Sequence, residues 1–149
     1  MTPSLMPLVH LQVLVGPPVT VEEGAPGRRF IPILGGTVSG GLTGTVLPGG
    51  GDWQSIAVDG RMDIDAHYVL QIDGQGTVEV RSEGLRHGPP EVLAALGRGE
   101  AVDPSLYYFR TAVRLRTAAP GLSRLNQILA VAVGARGPAS VDLDLFELS

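Results

Sequence analysis

The glycine-rich stretch at residues 35–53, GGTVSGGLTGTVLPGGGDW, constrains the fold of this chain more than any other segment. It holds eight of the 21 glycines, yet its residues alternate, with valine, leucine and glycine on one side and threonine, serine and glycine on the other. Alternation with a period of two is typical of a β-strand. Glycine inside a strand usually marks a bulge, a sharp bend or the close approach of another group. The stretch therefore predicts one long, strongly bent strand that ends in a glycine-rich turn and presents Asp52 and Trp53.

The composition excludes several classes of site and partner. The 149 residues include no cysteine, which excludes disulfides and cysteine-ligated zinc, and no lysine, which excludes Schiff-base chemistry. A net charge of −4 argues against a nucleic-acid partner. The sequence has no signal-peptide pattern, no apolar run long enough to span a membrane, and no glycine-rich nucleotide motif. We expect one cytoplasmic domain over residues 1–149, with no cofactor and no membrane or nucleic-acid contact.

Turn signals recur about every 8–12 residues, which is the spacing of an all-β sandwich or barrel. The clearest hairpin is formed by residues 62–82, where Asp73-Gly74-Gln75-Gly76 separates two alternating segments. A Pro-Pro-Glu sequence at residues 89–91 opens the only predicted helix. The sequence predicts eight or nine strands, at residues 8–15, 30–34, 35–53, 54–58, 62–72, 77–82, 106–117, 126–136 and 139–148, and one short helix at residues 91–96.

Two segments indicate how the strands face. Residues 62–72 alternate between an apolar face that includes Tyr68 and a polar face that includes Asp65 and His67. Residues 126–136 are apolar or small on both faces, and a strand of that kind is covered on both faces. In a barrel this cover comes from a helix, another subunit or both, so we expect a homo-oligomer, most simply a dimer.

Arginines alternate along the segment at residues 106–117. Arg110, Arg114 and Arg116 are consistent with an anion site, since a guanidinium matches the geometry of a carboxylate or phosphate. For Arg114 and Arg116 the favoured alternative is a solvated face that pairs with acids on a neighbouring strand. Arg110 directly follows Tyr108 and Phe109, and an arginine beside aromatic residues at a strand start is a candidate pocket residue.

Asp65 and His67 lie two residues apart on one predicted strand face. They are consistent with an acid–base pair, with two ligands of a metal ion, or with a solvated face, and the last interpretation is favoured. The three histidines of the chain show no spacing typical of metal ligands, so no metal site is predicted.

Trp53 and Arg86 are further candidates. Trp53, the only tryptophan, follows Asp52 and is expected to plug one end of a barrel, to line a ligand cavity, or to do both. Arg86 and His87 precede the predicted helix, where such residues either bind an anion or fill a turn.

Five motifs occur in an order typical of one bacterial protein family: GGTVSGGLTGTVLPGGGDW, DIDAHYVLQIDGQG, EGLRHGPPEV, GEAVDPSLYYFRT and RLNQILAVAVGAR. From about residue 9 to residue 147 the chain resembles domain-of-unknown-function family number 3237, whose members are uncharacterised. The resemblance implies a calycin-like β-barrel. This chain departs from the family pattern at His67, where the family usually has arginine, and at Arg124, where the family usually has tryptophan. If the residue at position 67 contacts a ligand in the family, the departure implies that this chain binds a different ligand. The positions that the resemblance marks are Gly50, Asp52, Trp53, Asp65, Tyr68, Gly84, Arg86, Tyr108, Phe109, Arg110, Leu125 and Asn126.

The predicted fold is an all-β, closed antiparallel barrel of about eight strands, calycin- or lipocalin-like, with one short helix. The interior of such a barrel is filled by side chains or holds one small ligand. The leading functional hypothesis is the binding of a small, partly apolar, anionic or carbonyl-bearing molecule in the barrel mouth. Its ligand-binding candidates are Asp52, Trp53, Asp65, Tyr68, Arg86, Tyr108 and Arg110.

Two alternatives remain open from the sequence. A cofactor-free isomerase, lyase or cyclase would use Tyr108 and Arg110 to stabilise charge and Asp65 or His67 as a base. A structural or oligomeric interaction protein would have a barrel filled by its own side chains.

Overall fold

Ten β-strands and one α-helix make up the fold in the computed structural model, which describes residues 1–149. No helix is both long and apolar enough to cross a lipid bilayer. Two 3₁₀ segments, Pro104–Leu106 and Pro120–Gln127, precede the eighth and ninth strands. The elements are β1 (Leu5–Val15), β2 (Val19–Glu22), β3 (Gly27–Gly40), β4 (Gly44–Val46), β5 (Gly51–Ile56), β6 (Met62–Ile72), β7 (Gly76–His87), α1 (Pro90–Gly97), β8 (Tyr108–Arg116), β9 (Leu129–Arg136) and β10 (Ser140–Leu148).

The strands pair in an antiparallel sheet that closes on itself. Neighbours follow the order β1, β10, β9, β8, β7, β6, β4 and β3, and β3 then pairs with β1. β4 and β5 succeed one another in the gap between β3 and β6, so together they fill one position in the wall. β2 pairs only with β3. The wall therefore has eight positions, which confirms the predicted closed barrel of about eight strands.

The alternating sequence of β6 decides which of its faces points inward. Met62, Tyr68 and Ile72 are buried together with the other apolar residues of that face, and the intervening polar residues are exposed or half-buried. This follows because successive side chains of a strand point to opposite faces of the sheet. β8 repeats the pattern, with Phe109 and Thr111 among its buried residues. The faces predicted for these two strands are confirmed.

Residues 35–53 do not form the single bent strand that their alternation predicts. β3 ends at Gly40, the chain reverses at residues 41–43, and β4 pairs back onto β3 with Gly36 opposite Val46. A second turn leads into β5, which carries Asp52 and Trp53. Gly40 has a φ of 89°, a conformation that glycine adopts at little cost. Because the alternation of residue types continues through the turn, the sequence gives no sign of the hairpin.

Other predicted strand boundaries also differ from the structure, and β2 was not predicted. β7 runs to His87, whereas the sequence predicts a strand that ends at residue 82 and a loop around Arg86. Gly84 lies inside the strand because β8 passes close to it: a Cβ atom there would lie 2.0 Å from the carbonyl oxygen of Arg110. The strand predicted from residue 126 enters the sheet only at Leu129, after the second 3₁₀ segment. The predicted helix is confirmed as α1.

The two halves of the barrel interior differ. One half is filled by apolar side chains, and Leu122 and Leu125 of the second 3₁₀ segment are buried in the same cluster. That segment lies against the β6–β7 turn, where a Cβ atom on Gly121 would meet the side chain of Gln75. The other half, toward the start of β6, retains a cavity. The largest fully buried apolar side chains all belong to the filled half: Leu11, Ile72, Val78, Val80 and Leu145.

Replacing Gly84 with alanine is expected to destabilise the barrel, because the new Cβ atom would overlap backbone atoms of β8 rather than a movable side chain. Overpacking of this kind costs about 1–3 kcal/mol in the free energy of unfolding, which urea denaturation measures. Gly97→Ala is the matched control, since nothing lies within 4 Å of a Cβ atom at that position. Equal stability of the two variants would contradict the close approach of β8 to Gly84.

Candidate functional site

The open half of the barrel holds a small cavity to which all eight wall positions contribute residues. The centre of a water-sized molecule can move through about 60 Å³ of this cavity. About 10–15 Å³ is enough to hold one water, so the space suits several waters or a small organic molecule. Most of the wall is apolar, and it is formed by Val13, Val15, Ile31, Ile33, Ile64, Ala66, Phe109, Val141 and Leu143.

Three arginines enter the cavity from three different strands. Arg29 comes from β3, Arg86 from β7 and Arg136 from the end of β9. The only carboxylate in the lining is Asp52 of β5, and no salt bridge within 4.0 Å joins any of the three arginines to an acid. The cavity therefore carries an excess of positive charge although the whole chain has a net charge of −4.

Burial makes this concentration of positive charge costly. It lowers the pKa of Arg86 to about 10, with further contributions from Arg136 and Arg29. Burial is also the main cause of the lowered pKa values of Arg29 and Arg136. All three side chains still remain protonated at neutral pH. The Nε atom of Arg86 is buried without a hydrogen-bond partner, and a buried charge without a counter-ion is strongly unfavourable.

Asp52 is held in the cavity by a chain of hydrogen bonds. Arg29 Nε donates to Gln54 Oε1 at 2.7 Å, and Gln54 Nε2 donates to Asp52 Oδ2 at 2.7 Å. Because a guanidinium can only donate, Arg29 fixes the amide of Gln54 with its NH₂ group toward the carboxylate. The backbone N–H of Asp65 donates to Asp52 Oδ1 at 3.0 Å. Burial nevertheless raises the pKa of Asp52 to about 6.

Tyr68 presents a second unpaired polar atom. Its ring is buried and its hydroxyl has no hydrogen-bond partner. Burial raises the pKa of Tyr68, and the nearby charge of Asp52 raises it further, so the group stays a neutral phenol. On the adjoining wall, Ser82 Oγ donates a hydrogen bond of 2.7 Å to Thr111 Oγ1, so neither hydroxyl oxygen is without a partner. The Tyr68 hydroxyl and Arg86 Nε are therefore the buried side-chain donors that have no hydrogen-bond partner at all.

The structure brings three of the seven sequence-predicted ligand-binding residues together in the cavity. These are Asp52, Tyr68 and Arg86. Trp53 follows Asp52 in β5 and so points to the opposite, outer face, where its ring lies 4.9 Å from that of Phe30.

The remaining three candidates also lie outside the cavity. Asp65 forms an ion pair of 2.8 Å with Arg81 across the outer face of the sheet. Tyr108 is 53% exposed, and the Arg110 guanidinium lies 5.2 Å from the centre of its ring.

The other residues singled out in the sequence are likewise external. His67, a catalytic candidate with Asp65, Tyr108 and Arg110, pairs with Glu79 at 2.6 Å. His87 lies 3.3 Å from the carbonyl oxygen of Asp59. No group of three or more histidine, aspartate or glutamate side chains is placed to hold a metal ion.

Sequence reasoning missed Arg29, Gln54 and Arg136. The alternation of inward and outward residues along each strand could have identified two of them. Arg29 shares a face with Ile31 and Ile33, and Arg136 continues the inward face of β9. A charged residue that continues a buried apolar face marks a polar interior site. The glycines and prolines around Arg29 are instead typical of a loop, which conceals its place in a strand.

The raised pKa of Asp52 predicts a pH-dependent stability. In the unfolded chain the carboxyl of Asp52 has a pKa of about 4. Between that pH and the folded pKa of about 6, the folded protein keeps a proton that the unfolded chain releases. This stabilisation is fully present below pH 4 and is lost as the pH rises through 6. Relative to Asp52→Asn, the wild-type free energy of unfolding is expected to fall by about 2 kcal/mol between pH 4 and pH 7.

Urea denaturation of both proteins at the two pH values measures this difference. Asp63→Asn removes an exposed carboxylate from β6 and controls for the general loss of a charge. A difference between wild type and Asp52→Asn that stays constant with pH would show that burial does not raise this pKa.

Comparisons with known proteins agree with the geometry of the barrel. A UPF0311 protein of Bradyrhizobium diazoefficiens is 39% identical over 151 residues and covers 99% of each chain. A conserved protein of unknown function from Rhodopseudomonas palustris has a similar crystal structure, with a TM-score of 0.92, 38% identity and full coverage of both chains. A beta-barrel like protein from Acinetobacter baumannii superimposes with a TM-score of 0.86 at 35% identity over 100% of this chain and 98% of its own. The family model described as protein of unknown function (DUF3237) matches residues 3–148, and the chain belongs to this family.

Proposed function

We propose that the protein binds a small, partly apolar organic anion in the open half of its barrel. The observation that carries the proposal is the set of three cavity arginines, Arg29, Arg86 and Arg136, none of which has an acidic partner within salt-bridge distance. Buried charges in proteins are normally paired, because an unpaired one forfeits its hydration without compensation. An anionic ligand supplies the missing counter-charge.

The form of the ligand follows from the rest of the cavity. A carboxylate suits the arginines, because its two oxygens match the planar donors of a guanidinium. The apolar wall around Ile31, Ile64 and Phe109 suits a short hydrocarbon or aromatic body. The free hydroxyl of Tyr68 suits a carbonyl oxygen, which accepts a hydrogen bond. A carboxylate that also bears a carbonyl group, such as a 2-oxo acid, combines these features.

A panel of ligands tests this proposal through thermal unfolding. Pyruvate, 2-oxobutanoate, 4-methyl-2-oxopentanoate and phenylpyruvate share one head group and differ in apolar body, and their primary amides are uncharged controls. Binding to the folded state raises stability by about 2.7 kcal/mol at a ligand concentration of 100 times Kd. We expect the melting temperature to rise with the acids and not with the amides. No rise with any of the acids would overturn the proposal.

Arg86→Met is expected to have two opposite effects. Removing a buried charge that lacks a partner should stabilise the empty protein by about 1–4 kcal/mol, because an apolar side chain suits the site without a ligand. The same change should weaken binding of the acids about 10- to 100-fold, since a hydrogen bond to a charged group is lost. Thermal unfolding with and without the acids measures both effects.

Arg114→Met is the matched control for this substitution. Arg114 lies on the exposed face of β8, outside the cavity. Its loss should leave ligand stabilisation unchanged. A less stable Arg86→Met protein that still binds the acids with wild-type affinity would contradict the assigned role of Arg86.

A further inference from the structure

We propose that the cavity catalyses proton transfer at the carbon next to the carbonyl group of its bound anion. Asp52 is the base, and Tyr68 and Arg86 stabilise the enolate oxygen. This activity rests on the proposed function, because the anion must first bind among the cavity arginines. The residues proposed here differ from the catalytic candidates expected from the sequence, all of which lie outside the cavity.

Asp52 is positioned as a base rather than as a structural anchor. Its carboxylate accepts one hydrogen bond on each oxygen, from Gln54 and from the backbone N–H of Asp65. A carboxylate has about four acceptor positions, so two remain unused, and Asp52 is part of the cavity lining. The two bonds fix the orientation of the group, and Arg29 in turn fixes Gln54.

Tyr68 and Arg86 form the complementary half of the site. The hydroxyl of Tyr68 and the Nε of Arg86 have no hydrogen-bond partner, although the two residues are buried and only 3% and 8% exposed. Leaving a buried donor unpaired is unfavourable in the empty protein. Donors of this kind are most effective when negative charge develops on an oxygen beside them, as on the carbonyl oxygen during enolisation. The two unpaired donors are thus suited to stabilise the negative charge that enolisation creates on the oxygen.

The reaction needs no additional reagent. The C–H bond next to the carbonyl breaks, and its proton moves to the Asp52 carboxylate. The electron pair of that bond forms a C=C bond while the π pair of the carbonyl moves onto its oxygen, which gives the enolate. Tyr68 and Arg86 donate hydrogen bonds to that oxygen. The protonated Asp52 then returns a proton to carbon, so the protein is regenerated. In D₂O the carboxyl first exchanges its proton with solvent, and carbon receives a deuteron. A base that titrates close to neutral pH suits both steps, and burial gives Asp52 such a pKa, of about 6.

Hydrogen–deuterium exchange measures this step directly. Each 2-oxo acid of the binding panel is incubated with the protein in D₂O, and proton NMR follows the loss of the signal from carbon 3. We expect exchange about 100-fold faster than in buffer alone. Asp52→Asn should abolish the acceleration while retaining ligand stabilisation, and Tyr68→Phe should reduce it about 10- to 100-fold.

The rate should also rise between pD 5 and pD 7 as Asp52 ionises, with Arg29, Arg86, Arg136 and Tyr68 as the ionisable groups that share its cavity. Asp63→Asn, on the outer face, is the control and should exchange at the wild-type rate. Acids that stabilise the protein but exchange no faster than in buffer would overturn the proton-transfer proposal and leave the binding proposal intact. The absence of any stabilising acid would overturn both.

A different observation, the outer face of β9, carries a second inference. Leu129, Val131 and Val133 point outward there, and Leu129 and Val133 are exposed although apolar. On the flanking strands, Arg110 of β8 and Asp144 of β10 both lie in register with Val133. A row of one basic, one apolar and one acidic residue thus crosses the three strands.

We infer that this face packs against the same face of a second copy of the chain. A twofold axis along β9 places β8 of one copy opposite β10 of the other, because the rotation exchanges the two flanks. Arg110 then faces Asp144 of the partner subunit in both directions, as an isologous interface requires. The row is therefore complementary to itself, and the apolar residues of β9 meet at the centre.

Exchanging the charges of Arg110 and Asp144 tests this interface. Light scattering measures the mass of each protein at about 50 µM, which is above a Kd of 1 µM. We expect the wild type to have twice the mass of the chain, Arg110→Glu and Asp144→Lys to be monomers, and the double variant to be a dimer again. His10 contacts Asp144 within the chain, and the double variant does not restore that contact, so rescue reports on Arg110 and Asp144 alone. A monomeric wild type, or single variants that remain dimeric, would overturn this interface.

Discussion

The pairing of β1 with β3 is the interaction on which the rest of the structure depends. It joins the two ends of the sheet, so the wall closes into a barrel and its strands have one face inside and one in solvent. The short strand β2 pairs only with β3 and is exposed throughout, so it lies outside this rule. The position of a residue within its strand then decides its environment. Asp52 and Trp53 are neighbours in sequence, yet the first lines the cavity and the second lies on the outer surface.

Closure also means that each polar group inside the barrel loses its hydration, which costs free energy. The two halves of the interior differ in how many such groups they contain. The filled half contains apolar side chains that pack together and close one end. The open half contains three arginines and one carboxylate, whose charges do not balance. Such an arrangement lowers the stability of the empty protein, and it is typical of sites in which stability is exchanged for ligand binding or catalysis.

Asp52 and Asp65 show how position decides the chemistry of a side chain. They belong to paired strands, and the backbone of Asp65 even donates a hydrogen bond to Asp52. Asp65 points outward, where it forms a solvated ion pair with Arg81. Asp52 points inward, where burial raises its pKa toward neutrality. Two carboxylates on paired strands thus have different environments because they face opposite sides of one sheet.

The sequence by itself determined the inward faces of β6 and β8, because a period of two is a local property of the chain. The spacing of its turn signals and the family resemblance predicted the closed β-barrel. The sequence named Asp52, Tyr68 and Arg86 as candidates, but with Asp52 at the barrel mouth and Arg86 in a loop rather than inside a strand. It did not reveal the hairpin within residues 35–53, since a glycine turn preserves that period. Only the tertiary structure decided that Arg29, Arg86 and Arg136 meet. They lie on three strands far apart in the sequence, and their convergence, with Asp52 as the single acid among them, depends on the closure of the barrel.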